Sequence, residues 1–315
     1  MVIGTRGSQL ALWQASYVAD RLRTAFPNLT VTLETIKTTG DKILDVPLAH
    51  VGGKALFVKE IEEALLERRV DLAVHSMKDV PTELPASLEI LAITEREDPS
   101  DVLISRTGAR FTDLPVGAQV GTSSLRRQAQ LLHHRPDLSI VPLRGNLDTR
   151  LRKLEREGLD AVVLAAAGVK RLGWISRITE FLSPDICLPA IGQGALGIEG
   201  RIHADRKDLA AVWTPEAMAG ALNHQETQAA VLAERAFLRR LEGGCQVPFA
   251  PHAKISEGRM VMRGLVATPD GKQLIAGERY GFLHDGETLG VGLAEDLLTR
   301  GAADIIRAVG GGTEA

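Results

Sequence analysis

The sequence predicts an α/β protein: two α/β domains of similar design, each a mostly parallel sheet covered by helices, and a smaller α+β third domain. Three observations predict it. Residues 1–75 alternate strand and helix patterns in the order β-α-β-α-β, which builds parallel sheets with helices on their faces. A segment near residue 70 has an echo near residue 160. Beyond about Asn223 the pattern changes to one long helix, short strands and closing helices.

Residues 1–4 read as a short strand, and Thr5-Arg6-Gly7-Ser8 as a turn. Leu10, Trp13, Tyr17, Val18 and Leu22 then recur at helical spacing up to Phe26-Pro27. Val31–Ile36 alternates as a strand. Between Gly40 and Lys54 the polar Thr38–Lys42 and the glycine-rich Val51-Gly52-Gly53-Lys54 predict a mobile loop. Helix returns at Val58–Arg69, and Val70–His75 reads as a buried strand. The run Leu65–Val74 resembles Leu154–Val163, each a charged helix end feeding an apolar strand. Between them lies another strand-turn-helix, Gln119–Gly121, Thr122–Ser124 and Leu125–His133. The polar Glu95–Ser100 and the segment Leu188–Gly194 are the expected crossings between domains. The expected division is residues 1–97 with 195–220 as domain 1, 98–194 as domain 2 and 221–315 as domain 3. In the last, Thr227–Leu241 is a strong helix ending at Gly243-Gly244. Strands follow near Ala253–Ile255, Met260–Ala267 and Gln273–Tyr280, then helices over Leu289–Arg300 and Ala302–Val309.

Composition narrows the function. A chain of 315 residues, 44% hydrophobic and 24% charged, can bury a sizeable core in two or three domains and is neither disordered nor fibrous. No apolar run approaches the ~20 residues of a membrane span, and residues 1–6 show no secretion signal, so a cytoplasmic protein without a membrane is expected. Two cysteines, Cys187 and Cys245, make neither a disulfide framework nor a four-cysteine zinc site, and no metal is implied. A net charge of −3 gives no global attraction to nucleic acid, and 4% aromatics is thin for stacking on bases. Yet 27 of the 37 basic residues are arginine, whose planar fork matches carboxylate and phosphate. Small anions are the expected partners.

The motifs agree. Gly121-Thr122-Ser123-Ser124-Leu125-Arg126-Arg127 places free backbone N–H groups at a helix start beside two arginines, an anion-binding arrangement, although a capped helix with solvated arginines has the same pattern. It is not a Walker loop, whose spacing is absent. Leu143-Arg144-Gly145-Asn146-Leu147-Asp148-Thr149-Arg150 sets Arg144 near a strand end and Arg150 in a first helical turn. A helix start is already positive, so an arginine there suggests an anionic partner. Thr5-Arg6-Gly7-Ser8 repeats the design, and Lys170-Arg171 follows a strand ending in Ala165–Gly168. Arg6, Arg126, Arg127, Arg144, Arg150 and Arg171 thus all lie beside predicted strand ends, where open α/β sheets bind ligands. They suggest a cleft between two domains for a ligand with several carboxylates or phosphates. Asp79, in His75-Ser76-Met77-Lys78-Asp79-Val80-Pro81, would face that cleft and could hold a cationic intermediate or accept an N–H; a structural ion pair is the alternative. Cys245, in Glu242-Gly243-Gly244-Cys245-Gln246-Val247-Pro248, is presented by two glycines as a candidate nucleophile or covalent attachment point. Cys187, between Ile186 and Leu188, reads as structural.

Taken together, Leu10-Ala11-Leu12-Trp13-Gln14, Gly52-Gly53-Lys54, His75–Pro81, Gly121–Gln128, Leu143–Asn146, Gly192-Gln193-Gly194-Ala195 and Glu242–Pro248 resemble the porphobilinogen deaminase (hydroxymethylbilane synthase) family over essentially the whole chain. The resemblance implies two mixed-sheet α/β domains of the type II solute-binding-protein kind, the first discontinuous, plus a third domain bearing the cofactor loop. It implies a transferase of tetrapyrrole and haem biosynthesis. Four porphobilinogen molecules are joined to a dipyrromethane primer held by a cysteine thioether, ammonia is released at each step, and the linear tetrapyrrole is freed by hydrolysis. By resemblance Cys245 carries the dipyrromethane, Asp79 is the catalytic carboxylate, and Arg6, Arg126, Arg127, Arg144, Arg150 and Arg171 bind acetate and propionate groups. Ser8, Gln14, Lys54, Ser76, Lys78, Thr122, Ser124 and Gln193 line the site, and the 40–55 loop is a lid. The substrate is porphobilinogen, with no nucleic-acid partner, and the default state is a monomer. Leu147 stands where the family usually has valine, and His203–Met218 matches no motif beyond a connection toward the third domain.

Two rivals frame these expectations. A non-catalytic anion-binding module explains the arginines but leaves Asp79 and Cys245 idle. A cysteine hydrolase or acyltransferase needs a histidine base near Cys245, for which His252 and His224 are the candidates, and their spacing does not favour the pair.

Overall fold

In the computed structural model, which describes residues 1–42, 58–202, 214–241 and 247–310, the chain forms two compact units. The first comprises Met1–Glu97 and Ala195–Gln228, the second Asp98–Gly194 and Ala229–Ala315.

The first unit begins with strand β1 (Val2–Arg6), helix α1 (Gln9–Ala25), β2 (Thr32–Ile36), the helical turn α2 (Thr39–Lys42), α3 (Lys59–Leu66), β3 (Leu72–Ser76) and β4 (Leu88–Ile93). Helix α1 starts where Ser8 Oγ accepts the Ala11 N–H at 3.3 Å, and it buries Ala15, Val18, Ala19 and Leu22 against the sheet. Helix α3 stops before the expected Arg69 because Arg68 turns into the left-handed region at φ 59°. Thr39–Lys42 is helical rather than loop, and residues 43–57, with Lys54 and most of the expected lid, lie outside the described residues.

The second unit holds β5 (Asp101–Ser105), β6 (Gln119–Gly121), α4 (Leu125–His134), β7 (Ser139–Val141), α5 (Leu147–Arg156), β8 (Ala161–Ala165), α6 (Ala166–Arg171) and β9 (Glu180–Phe181). The chain then returns to the first unit as β10 (Leu196–Arg201) and α7 (Pro215–Gly220), where Met218 and Ala219 enter the core. Helix α8 (Gln225–Leu241) leads to β11 (His252–Ser256), β12 (Arg259–Ala267), β13 (Leu274–Phe282), α9 (Gly286–Leu297) and α10 (Ala303–Gly310).

The two five-stranded sheets share one topology. Their orders are β2-β1-β3-β10-β4 and β7-β6-β8-β5-β9. In each, the first three strands are parallel and the fourth runs antiparallel to both its neighbours. The sheets are therefore mixed, and the strand that makes them so is a crossing strand. It is β10 in the first unit, reached from the second, and β5 in the second, reached from the first.

Within the second unit, β11-β12-β13 is an antiparallel sheet whose inner face packs on α8 and α9 through Phe237, Met260, Met262, Val266, Leu293 and Leu297. Its β12–β13 hairpin tip docks on α4: His133 Nδ1 donates to the Gly271 carbonyl at 2.9 Å, and Gln128 Nε2 to that of Pro269 at 3.1 Å. Gly271 has φ +70°, and a Cβ there would sit 2.4 Å from the Ala129 carbonyl oxygen. Gly271→Ala should therefore cost about 1–3 kcal/mol, read as a lower midpoint in thermal unfolding. An unchanged midpoint would show the hairpin tip free to move off α4.

Candidate active site

In the first unit, the carboxyl ends of the adjacent parallel strands β1 and β3 bring sequence-distant groups together. Arg6 ends β1, Ser8 caps α1 and Gln14 lies nearly two turns on. Ser76 ends β3, and Asp79 closes the 3-10 turn Met77–Asp79. These five residues line a concavity of about 70 Å³ with Leu10, Ala11, Val58, Val74 and His75. Buried Gln14 donates from Nε2 to Ser76 Oγ at 2.9 Å, fixing α1 to the end of β3. The turn bearing Asp79 is set by backbone: Met77 N–H donates to the Ala195 carbonyl at 3.0 Å, and Val80 N–H to that of Met77 at 3.3 Å. Beneath it His75 Nε2 lies 2.8 Å from Glu199 Oε2, a buried pair joining β3 to β10. Lys78 shares the turn with Asp79 and is half-buried.

The corresponding ends in the second unit hold Thr122, Ser124 and the arginines. Ser124 caps α4 as Ser8 caps α1, its Oγ accepting the Arg127 N–H at 3.4 Å while its own N–H donates to Thr122 Oγ1 at 3.2 Å. Arg126 and Arg127, expected to bind anions in a cleft, are buried, 7% and 5% exposed, around the wholly buried Asp101. Arg127 donates to Asp101 Oδ1 from Nε at 3.0 Å and Nη2 at 2.7 Å, and to the Val163 carbonyl from Nη1 at 2.9 Å. Arg126 Nη2 lies 2.7 Å from Asp101 Oδ2, and its Nη1 donates to the Leu188 carbonyl at 2.6 Å.

Burial alone would push the Asp101 carboxyl up. The two guanidiniums, with hydrogen bonds from Arg127 and Gln193, more than reverse that and hold it well below the usual carboxylate range. A carboxyl lowered by folding stabilises the fold fully above its unfolded pKa of about 3.9, and that contribution is lost as pH falls below it. Asp101→Asn should therefore lower stability at neutral pH by about 3 kcal/mol and flatten the acid-unfolding curve between about pH 4 and 2, read by circular dichroism. A variant with the wild-type acid curve would remove Asp101 as its source.

Residues 192–194 are tied one by one to charged groups. Gly192 N–H donates to Glu234 Oε2 on α8 at 2.7 Å. Gln193 Nε2 donates to Asp101 Oδ1 at 3.0 Å and to the Pro99 carbonyl at 2.6 Å, while its buried Oε1 has no partner among the described residues. Gly194 O accepts from Arg171 Nη2 at 2.7 Å. Arg171 sits at the end of α6: the apolar Ala165–Gly168, expected to finish a strand, turns helical at Ala166. Arg150 Nε donates to the carbonyl of Gly145, which adopts φ +111°. Arg144, half-buried between β7 and α5, has no side-chain partner among the described residues. Residues 242–246, including Cys245, lie outside the described residues.

Sequence reasoning missed Asp101, Glu199 and Glu234. For Asp101 a signal existed, an acid opening the apolar run Val102-Leu103-Ile104, which buries a charge unless a cation meets it. Among the described residues no cluster of three or more His, Cys, Asp or Glu could hold a metal ion, and no helix is long and apolar enough to cross a membrane.

Comparison with known proteins adds to this geometry. Residues 1–210 match the family described as "Porphobilinogen deaminase, dipyromethane cofactor binding domain", and residues 228–299 match "Porphobilinogen deaminase, C-terminal domain". The porphobilinogen deaminase of Syntrophotalea carbinolica is 58% identical over 307 residues, 98% of this chain and 95% of that one. The enzyme of that name from Pelobacter propionicus is 57% identical over 307 residues (98% and 96%), and that from Carboxydothermus hydrogenoformans 51% over 309 residues (98% and 97%). Among solved structures, the second substrate-binding domain of a putative amino acid ABC transporter from Streptococcus pneumoniae aligns with a TM-score of 0.44 and 12% identity, over 70% of this chain and 90% of that one. The fold assignment rests on the sheet orders above.

Proposed function

Because this chain belongs to the porphobilinogen deaminase family over nearly its whole length, we propose that Asp79 is its catalytic carboxylate and Cys245 the attachment point of its primer. The activity is that of the family, a transferase reaction that polymerises porphobilinogen on a dipyrromethane cofactor to hydroxymethylbilane. The observation that carries the Asp79 assignment is the concavity in which it meets Arg6, Ser8, Gln14 and Ser76.

The donor set fits a dipyrromethane, whose rings carry carboxylates and N–H groups. Among the described residues Arg144 is an uncommitted cation and Gln193 Oε1 a buried acceptor without a donor. Arg127 uses three N–H bonds within the protein, and a guanidinium has five. When bound, the dipyrromethane supplies the free pyrrole α-carbon on which the chain is extended.

The protein's residues supply orientation and charge. Arg6, Arg126, Arg127, Arg144, Arg150 and Arg171 bind the acetate and propionate groups; Lys54, Lys78, Thr122 and Ser124 support them. An Asp79 carboxylate oxygen accepts the pyrrole N–H of porphobilinogen. As ammonia leaves, positive charge develops on the ring and reaches that N–H, so the same hydrogen bond strengthens toward the transition state. The Gln14–Ser76 bond keeps the wall beside Asp79 in place. A thioether at Cys245 survives a reducing compartment, where a disulfide would not. The proposal includes a cytoplasmic monomer without a nucleic-acid partner. It also includes the three-domain division at residues 97/98, 194/195 and 220/221, with the five-stranded and three-stranded sheets of the second unit as domains 2 and 3.

The test is stoichiometry: one ammonia released per porphobilinogen consumed, and four consumed per tetrapyrrole freed. Arg144→Ala should raise KM for porphobilinogen about tenfold or more while the primer stays attached, since a charge-assisted hydrogen bond contributes about 1.5–3 kcal/mol. Unchanged steady-state kinetics would place Arg144 on an ordinary surface.

A further inference from the structure

We propose that Asp101 decides which of the protein's two thiols takes up the primer: by accepting the S–H of Cys187 it keeps that sulfur an unreactive thiol and leaves Cys245 as the single attachment point. The proposal rests on the reading of Cys245 given above.

Cys187 sits in an environment that would otherwise activate it. Arg126 Nη1 lies 3.4 Å from its Sγ and Gln130 Nε2 3.8 Å. A thiol beside a guanidinium ordinarily ionises more readily, because the cation favours thiolate. Asp101 opposes this. Its Oδ2 accepts the Cys187 S–H at 3.2 Å, and a carboxylate at that distance disfavours a second negative charge. The charged groups facing the sulfur are Asp101 from β5 and Arg126 and Arg127 from α4; the rest of its surroundings is the apolar cluster of Leu103, Phe111, Leu131 and Leu182. Burial, then Asp101, push the thiol up to about 12 against the pull of the two arginines.

The family's chemistry makes this choice matter. A thiolate that attacks the methylene carbon of porphobilinogen's protonated aminomethyl group, –CH2–NH3⁺, forms a C–S bond as the C–N bond breaks. The nitrogen leaves with the electron pair as ammonia, and the thiol proton passes to solvent. Nothing in that step distinguishes one thiolate from another. An adduct on Cys187 would also remove the proton donated to Asp101 and disturb the carboxylate that holds Arg126 and Arg127.

The experiment uses the full chain labelled with 13C at cysteine Cβ. In the Cys245→Ser protein the Cys187 resonance should not move from about pH 6 to about pH 10. In folded Asp101→Asn, with folding checked by circular dichroism and a cooperative melt, it should titrate at lower pH. Alkylation of Cys187 by iodoacetamide at about pH 8 should then be about tenfold or more faster. After incubation with porphobilinogen, peptide mapping should find adduct on Cys245 alone in the wild type and on both cysteines in Asp101→Asn. If Asp101→Asn does not fold, the Cys245→Ser titration stands alone, and a Cys187 that ionises by about pH 9 in that folded protein overturns the inference. A thiol that ionises more easily in Asp101→Asn yet takes no adduct assigns the choice to burial and overturns it too. So does an unmoved titration, with the Cys245 reading intact if the wild-type adduct maps there. Wild-type adduct on Cys187 would sink both.

Discussion

Replacing Cys245 with serine should leave a folded protein that has the mass of the bare polypeptide before and after incubation with porphobilinogen, and that makes no tetrapyrrole. The wild type should be heavier than its polypeptide by two porphobilinogens less two ammonias. The expected loss is complete because the chain has two cysteines, and the other is wholly buried with its S–H donated to a carboxylate. A serine hydroxyl is far less nucleophilic than a thiolate, so nothing replaces the bond. Intact-mass measurement reads the result without any assumption about kinetics. A wild type that stays bare after incubation would return the chain to the anion-binding reading. Turnover near normal in Cys245→Ser would detach the primer from this cysteine.

Asp79→Asn should lower kcat about 10³-fold, with fold and attached primer retained and KM little changed. The variant keeps the shape of the side chain and removes its charge. What it loses is stabilisation that grows as the ring becomes cationic, an effect of the size seen when one aligned electrostatic partner is removed. The fold should not register the change, because main-chain bonds of Met77 and Val80, not the carboxylate, hold the turn. The measurement is single-turnover ammonia release alongside intact mass. Activity within about tenfold of wild type would exclude Asp79 from the chemistry.

These expectations show which parts of the molecule local sequence encodes. The two hydroxyl caps at Ser8 and Ser124 were legible because a cap is a short-range device: one side chain, one N–H three residues on. Position beside a strand end was legible for Arg6 for the same reason. The burial of Arg126 and Arg127 was not, since it depends on Asp101, distant in the chain and on a strand whose charge looks anomalous until its partners arrive. The apolar run Ala165–Gly168 fits helix and strand equally, and packing makes it helix from Ala166. The crossing strands β5 and β10 were unassigned. Both are short, and both are buried in the middle of a sheet, where alternation gives no signal.

The placement of β10 has a consequence for synthesis on the ribosome. Among the described residues β4 pairs with β10 and with no other strand, so when residue 97 emerges the first sheet consists of three strands and an orphan. The strand that fits between β3 and β4 appears about 100 residues later, some 5–20 s at ordinary elongation rates. Throughout that interval β3 and β4 offer open hydrogen-bonding edges, the kind that invites pairing with other chains. The unit that begins the chain therefore cannot complete its sheet until residues 98–194 have been made, and the turn bearing Asp79 finds its anchor, the Ala195 carbonyl, when the nascent chain has come back to it.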